Sequence, residues 1–115
     1  MRHHNSNRKF GRKTNKRNAL LKSLARSLIL HEKIQTTEAK AKELRPYMEK
    51  LVTRGRNANV AMRRSLSATV GAEGGKKLIE VLGPKYKAQA GGYTRILKLS
   101  SRDHDASPMA QIEFV

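Results

Sequence analysis

Acidic residues are missing from the first quarter of this chain; the earliest is Glu32. Cysteine and tryptophan are absent altogether, and the only rings are Phe10, Tyr47, Tyr86, Tyr93 and Phe114. Without cysteine there are no disulfides, zinc ribbons or thiol catalysis. Proteins that read single strands need exposed rings on which bases stack, and five rings shared with a core leave few to spare. No apolar run approaches the ~20 residues that cross a bilayer, and the N-terminus has no signal-type hydrophobic stretch. The sequence predicts an intracellular, cytoplasmic protein that meets no membrane.

What is abundant is positive charge. The 115 residues hold 25 Lys and Arg against 9 Asp and Glu, a formal net charge of +16. Hydrophobic residues make up 37%, below the roughly 45–50% of ordinary globular chains, so the core of this one domain should be thin. Before Glu32 come Arg2, Arg8, Lys9, Arg12, Lys13, Lys16, Arg17, Lys22 and Arg26, with His3 and His4 beside them. Nine like charges repel one another in a compact isolated state, but against a polyanion they neutralise phosphates and release condensed counterions. The expected partner is a nucleic acid, held by phosphate and shape rather than by base stacking.

Residues 1–13 carry one large apolar side chain, Phe10, and cannot fold alone. They read as an extended basic arm able to reach about 40 Å. Residues 14–115 read as a single α/β domain. Thr14 or Asn15 can cap a helix over 15–30 whose apolar face is Leu20, Leu21, Leu24, Leu28 and His31. Lys22 and Arg26 lie on another side and continue the arm's charge. Lys33 to Thr36 is β-compatible. Thr37 then caps a second helix with Ala41, Leu44, Met48 and Leu51 inward, Pro46 kinking or restarting it, and Glu38–Lys42 and Arg45–Glu49 pairs. This charge-balanced helix reads as scaffold. Gly55 suits a left-handed helix end.

A short helix over 60–68 carries Arg63 and Arg64, residues 71–75 connect, and a helix over 76–82 stops at Gly83-Pro84. A sharp turn at Ala90-Gly91-Gly92 leads into a strand over 93–99. Ala110, Ile112 and Phe114 alternate with Gln111 and Glu113 in a second strand, joined to the first by a long hairpin loop. The elements run α-β-α-α-α-β-β, an α+β chain with a small mixed sheet.

Catalytic candidates are thin. Asp103, His104, Asp105 and Ser107 share one polar loop, and neighbours in sequence do not build a triad. His3-His4 has no second ligand cluster to close a metal site. Gly74-Gly75-Lys76-Lys77 fails the phosphate-loop pattern at Val70 and Lys77. No enzyme, cofactor, metal or small-molecule substrate is expected. The Gly91-Gly92 turn is a stronger signal, because glycines permit tight turns or close approach, and Arg95 and Lys98 follow on the strand for phosphate contacts.

Four blocks together resemble the bacterial-type large-subunit ribosomal protein of family seventeen. They are Met1-Arg2-His3 with Arg8-Lys9-Phe10-Gly11-Arg12, then Thr36 through Arg45, then Gly91 through Lys98, and Pro108-Met109-Ala110 with Glu113. The resemblance implies a two-layer α/β fold and a structural role on large-subunit (23S-type) ribosomal RNA near the exit of the nascent-chain tunnel, among neighbouring large-subunit proteins. His4, Asn7 and Lys16 depart from the usual Arg, Gly and His, each expected to weaken one contact. Many relatives carry a C-terminal extension beyond the equivalent of Val115, and its contacts are expected to be missing. The RNA-binding set is Arg2, His3, His4, Arg8, Lys9, Arg12, Lys13, Lys16, Arg17, Lys22, Arg26, Arg63, Arg64, Gly91, Gly92, Arg95 and Lys98. A DNA-compacting nucleoid-type protein is the alternative, but no self-complementary surface or DNA-bending arm is visible, so no homo-oligomer is expected. An RNA-acting enzyme is a third option, weakened by the lack of an acid/base pair.

Overall fold

The structure, a computed structural model, describes residues 13–115; the arm over 1–13 therefore lies outside it except for Lys13. Helix α1 spans Thr14–His31, strand β1 Lys33–Thr37, helix α2 Glu38–Arg56 and helix α3 Val60–Lys77. A π-helical segment, Leu78–Leu82, and one further turn, Gly83–Lys85, prolong α3 before strands β2, Thr94–Leu99, and β3, Met109–Phe114. The strands lie in the order β1-β3-β2 and both pairings are antiparallel, so the sheet is not mixed. A mixed sheet would need a parallel crossover; instead the β2–β3 hairpin inserts β3 beside β1 with opposite direction. Ile34, Ile96 and Ile112 lie in one row of that register. The helices cover one face of the sheet. No helix among the described residues is long and apolar enough to cross a membrane.

Period-two alternation works as expected in β3, where Ala110, Ile112 and Phe114 are buried. The α2 stripe is also as read: Ala41, Leu44, Met48 and Leu51 are all in the core. The Thr37 side chain accepts from the Lys40 amide at 3.4 Å and caps this helix. Lys42 and Glu38 pair at 2.9 Å across one turn. The helix runs through Pro46, which sits on its exposed side, so no restart occurs there.

Several details differ from the sequence reading. In α1 the buried residues are Ala25, Leu28 and Ile29, with His31 exposed; Ala25 offers only a methyl and carries little signal in a pattern search. Lys13 occupies the cap position of α1 and Thr14 is already helical, with no side chain capping the end. Gly55 is buried inside the last turn of α2, and Asn57 ends the helix. The connector over 71–75 reduces to Gly71 alone, at φ 85° and ψ 164°, while Gly74 and Gly75 are helical and buried. Gly83-Pro84 does not stop the helix, because Gly83 keeps helical angles and packs against Gly55. Both glycines serve close approach of two backbones rather than termination.

Tyr86, Tyr93 and Phe114 form the aromatic part of the core, with Tyr86 centred 5.2 Å from Tyr93 and 6.3 Å from Phe114. Tyr47 packs partly buried against the same core. Among the described residues no ring is presented as a platform to solvent.

Candidate nucleic-acid interface

Helix α1 sets the direction of the first group of cations. Its core residues face inward, which leaves Lys13, Lys16, Lys22 and Arg26 exposed and Arg17 half-buried. Lys22 and Arg26 share a side because four residues nearly complete a helical turn. That side meets α3: the Arg26 guanidinium nitrogen Nε lies 3.5 Å from where a Cβ on Gly71 would stand. Arg26 therefore lies beside the break in α3. Arg63 and Arg64 are exposed in the first turns of α3, whose start is capped by Asn59 accepting from the Met62 amide at 2.9 Å.

Three glutamates pair with other cations. Glu32 faces Lys77 at 3.9 Å, Glu113 faces Arg95 at 3.3 Å, and Glu38 serves both Lys42 and Lys98, the latter at 3.8 Å. Lys16, Lys22, Arg26, Arg63 and Arg64 have no carboxylate within ion-pair distance among the described residues. Such uncompensated cations are a positive surface waiting for an anion.

Arg95 and Lys98 do not act together. Three residues apart on a strand, they point to opposite faces of the sheet. Arg95 is on the outer face, in a row with Lys33 and Glu113, and Lys98 is on the helix side near Glu38. Each has an exposed ion pair, which is worth little and leaves the cation available.

The Gly91-Gly92 turn is held from behind by α2. The Glu49 carboxylate accepts the Tyr93 amide at 3.1 Å, the Thr94 amide at 3.3 Å and the Thr94 hydroxyl at 3.0 Å. Arg56 donates to the Tyr93 hydroxyl at 2.7 Å and to the Gln89 carbonyl. Glu49 therefore does not pair with Arg45. Sequence reasoning missed this clamp because its partners lie some 45 residues apart. Gly92 has φ 71°, whereas Gly91 does not, and nothing lies within 4 Å of a Cβ at either. Gly92→Val is expected to cost about 1–2 kcal/mol through conformation alone, and Gly91→Ala to stay within about 0.5 kcal/mol, read by urea unfolding. Equal losses at the two positions would contradict this.

The Asp103–Ser107 segment braces its own hairpin loop. Asp105 accepts from the Ser107 amide at 3.1 Å and from Arg102 at 3.2 and 3.0 Å. The hydrogen bond from the Ser107 amide, above all, holds the Asp105 carboxyl below its ordinary range; desolvation opposes it, and Arg102 and the Ser107 side chain add to the lowering.

A family model described as ribosomal protein L17 matches residues 20–115 of this chain. The chain belongs to the ribosomal protein L17 family. A relative from Pelobacter propionicus, named large ribosomal subunit protein bL17, is 46% identical over all of this chain and 91% of its own length. Proteins of the same name from Thermomicrobium roseum and Sulfurimonas denitrificans are 47% and 50% identical, with this chain covered completely and the relatives to 99% and 100%. The family model begins inside α1, so in this L17-family chain it takes in Lys22, Arg26, α3 and the glycine turn. Arg2, His3, His4, Arg8, Lys9 and Arg12 lie outside the described residues.

Proposed function

We propose that this L17-family chain is a structural, non-catalytic constituent of the large ribosomal subunit that binds and stabilises large-subunit (23S-type) ribosomal RNA. The observation that carries the reading is the pairing of exposed, carboxylate-free cations on α1 and α3 with rings that, among the described residues, are buried or half-buried against the core. Cations without stacking platforms suit phosphate and shape contacts to folded RNA. The arm over 1–13 and the cations at 16, 17, 22, 26, 63, 64, 95 and 98 supply the charge, and the Gly91-Gly92 turn offers an open backbone. Position near the nascent-chain tunnel exit of the cytoplasmic ribosome, beside other large-subunit proteins, is part of the same reading and rests on the family. RNA–protein crosslinking of the native particle tests it: crosslinks should map to large-subunit RNA and concentrate on the arm, α1 and the glycine turn.

A salt titration tests the mechanism. Log K should fall steeply with log salt, by about 0.7–0.9 per phosphate neutralised. Deleting residues 1–13 should flatten that slope by several units, and an unchanged slope would remove the arm from the interface.

A further inference from the structure

Among the described residues, one strongly cationic hollow lies away from the strands. It lies where α1, α2 and α3 meet, a cavity of about 260 Å³ lined by Lys22, Tyr47, Lys50, Leu51, Arg54 and Thr69. Three cations enter it from two helices. None has a carboxylate within ion-pair distance among the described residues. Burial pushes the Tyr47 phenol above its ordinary range while the Arg54 charge pulls the other way, so it stays a neutral O–H donor at neutral pH. Lys50 and Arg54 also line a second hollow, about 300 Å³, that opens beside Ala90, Gly91 and Tyr93. Glu49 borders that second hollow, but its carboxylate is already committed to the Tyr93 amide and to Thr94. Read by sequence, α2 was scaffold; its Lys50 and Arg54 instead stand between the basic side of α1 and the glycine turn.

We infer that Lys22, Lys50 and Arg54 form a phosphate clamp at the three-helix junction, which seats an RNA backbone phosphodiester and joins the α1 and Gly91-Gly92 contacts into one track. A guanidinium supplies a planar fork and two ammonium groups supply point charges, a donor set matched to a tetrahedral anion. The like charges repel in the free protein, and the anion relieves that repulsion. The inference rests on the ribosomal RNA reading above and assigns it a seat on α2.

The test uses the full-length chain and a deproteinised large-subunit ribosomal RNA transcript, with affinity measured from low to high salt. Lys50→Gln combined with Arg54→Gln should weaken binding about tenfold at physiological salt and lower the log–log slope by about one to two units. The comparison variant is Lys33→Gln with Lys85→Gln, which removes the same charge from a hollow that also holds Glu32 and Glu113. It should change affinity less than about threefold. Thr69→Asp keeps every cation and places a carboxylate in the clamp; it should reproduce the tenfold loss. Circular dichroism melting confirms that each variant is folded, and if the α2 double variant is not, Thr69→Asp decides. Equal losses from both double variants, or no loss from either α2 or Thr69 substitution while wild type binds, would overturn the clamp. A wild-type chain with no affinity for the transcript would overturn the ribosomal RNA reading itself, and the clamp with it.

Discussion

Gly83→Ala is expected to destabilise the protein by about 3 kcal/mol, lowering the melting temperature by roughly 10–20 °C. Ordinarily alanine favours a helix over glycine by about 1 kcal/mol, so the expected sign is opposite to propensity. A Cβ at Gly83 would stand 2.6 Å from the Gly55 carbonyl oxygen and 2.9 Å from that of Leu78. Both obstacles are backbone and cannot rotate aside. The residue also precedes Pro84 while holding φ −56° and ψ −55°, a helical conformation that the proline ring disfavours by clashing with a Cβ. Separating the strands of backbone here would pull Leu78 and Leu82 out of a core where both are fully buried. At Gly55 the nearest atom to an added Cβ is the Leu78 carbonyl oxygen at 2.9 Å, so Gly55→Ala should cost less. Thermal melts of the two variants, alone and combined, check this. A Gly83→Ala protein that melts at or above wild type would mean that the α2 and α3 backbones do not touch as described.

Glu49→Ala should cost about 2–3 kcal/mol, with Glu49→Gln intermediate. The carboxylate accepts three hydrogen bonds from two consecutive residues at the entry to β2. A hydrogen bond to a charged group contributes about 1.5–3 kcal/mol net; the three share one half-buried carboxylate and do not add, but removal of this acceptor strands two amides at once. Glutamine retains one oxygen but turns its NH₂ toward a donor. The control is Glu113→Gln, whose partner Arg95 is exposed and whose loss should stay below about 1 kcal/mol. Urea unfolding measures the stabilities, and hydrogen exchange at Tyr93 and Thr94 localises the effect. Comparable losses at Glu49 and Glu113 would show that the clamp contributes no more than a surface pair.

What was legible in the sequence was what depends on near neighbours. The β3 alternation, the α2 stripe, the Thr37 cap and the 100–108 hairpin loop all follow from periods or offsets of a few residues. Distant pairings were not. Nothing local says that β1 lies against β3, that Gly55 meets Gly83, or that Glu49 reaches Thr94. Arg95 and Lys98 are a different case: period two places residues three apart on opposite faces, so their separation was available from spacing alone. Of the candidate interface, the α1 cations were readable as an unbroken run of one sign. Lys50 and Arg54 were masked by the acids near them in sequence, which the fold directs elsewhere.

The position of β3 in the sheet sets an order of events during synthesis. It is the middle strand, yet it is made after both strands that flank it. As the polypeptide emerges, β1 must wait for about seventy further residues before any strand can zip to it, and β2 for about ten. The helical layer can assemble first, leaving Ile34 and Ile96 uncovered on unpaired ribbons. Arrival of Met109–Phe114 then closes both seams in one step, and this strand acts as the keystone. Loss of that short segment would strip the sheet of every interstrand bond at once.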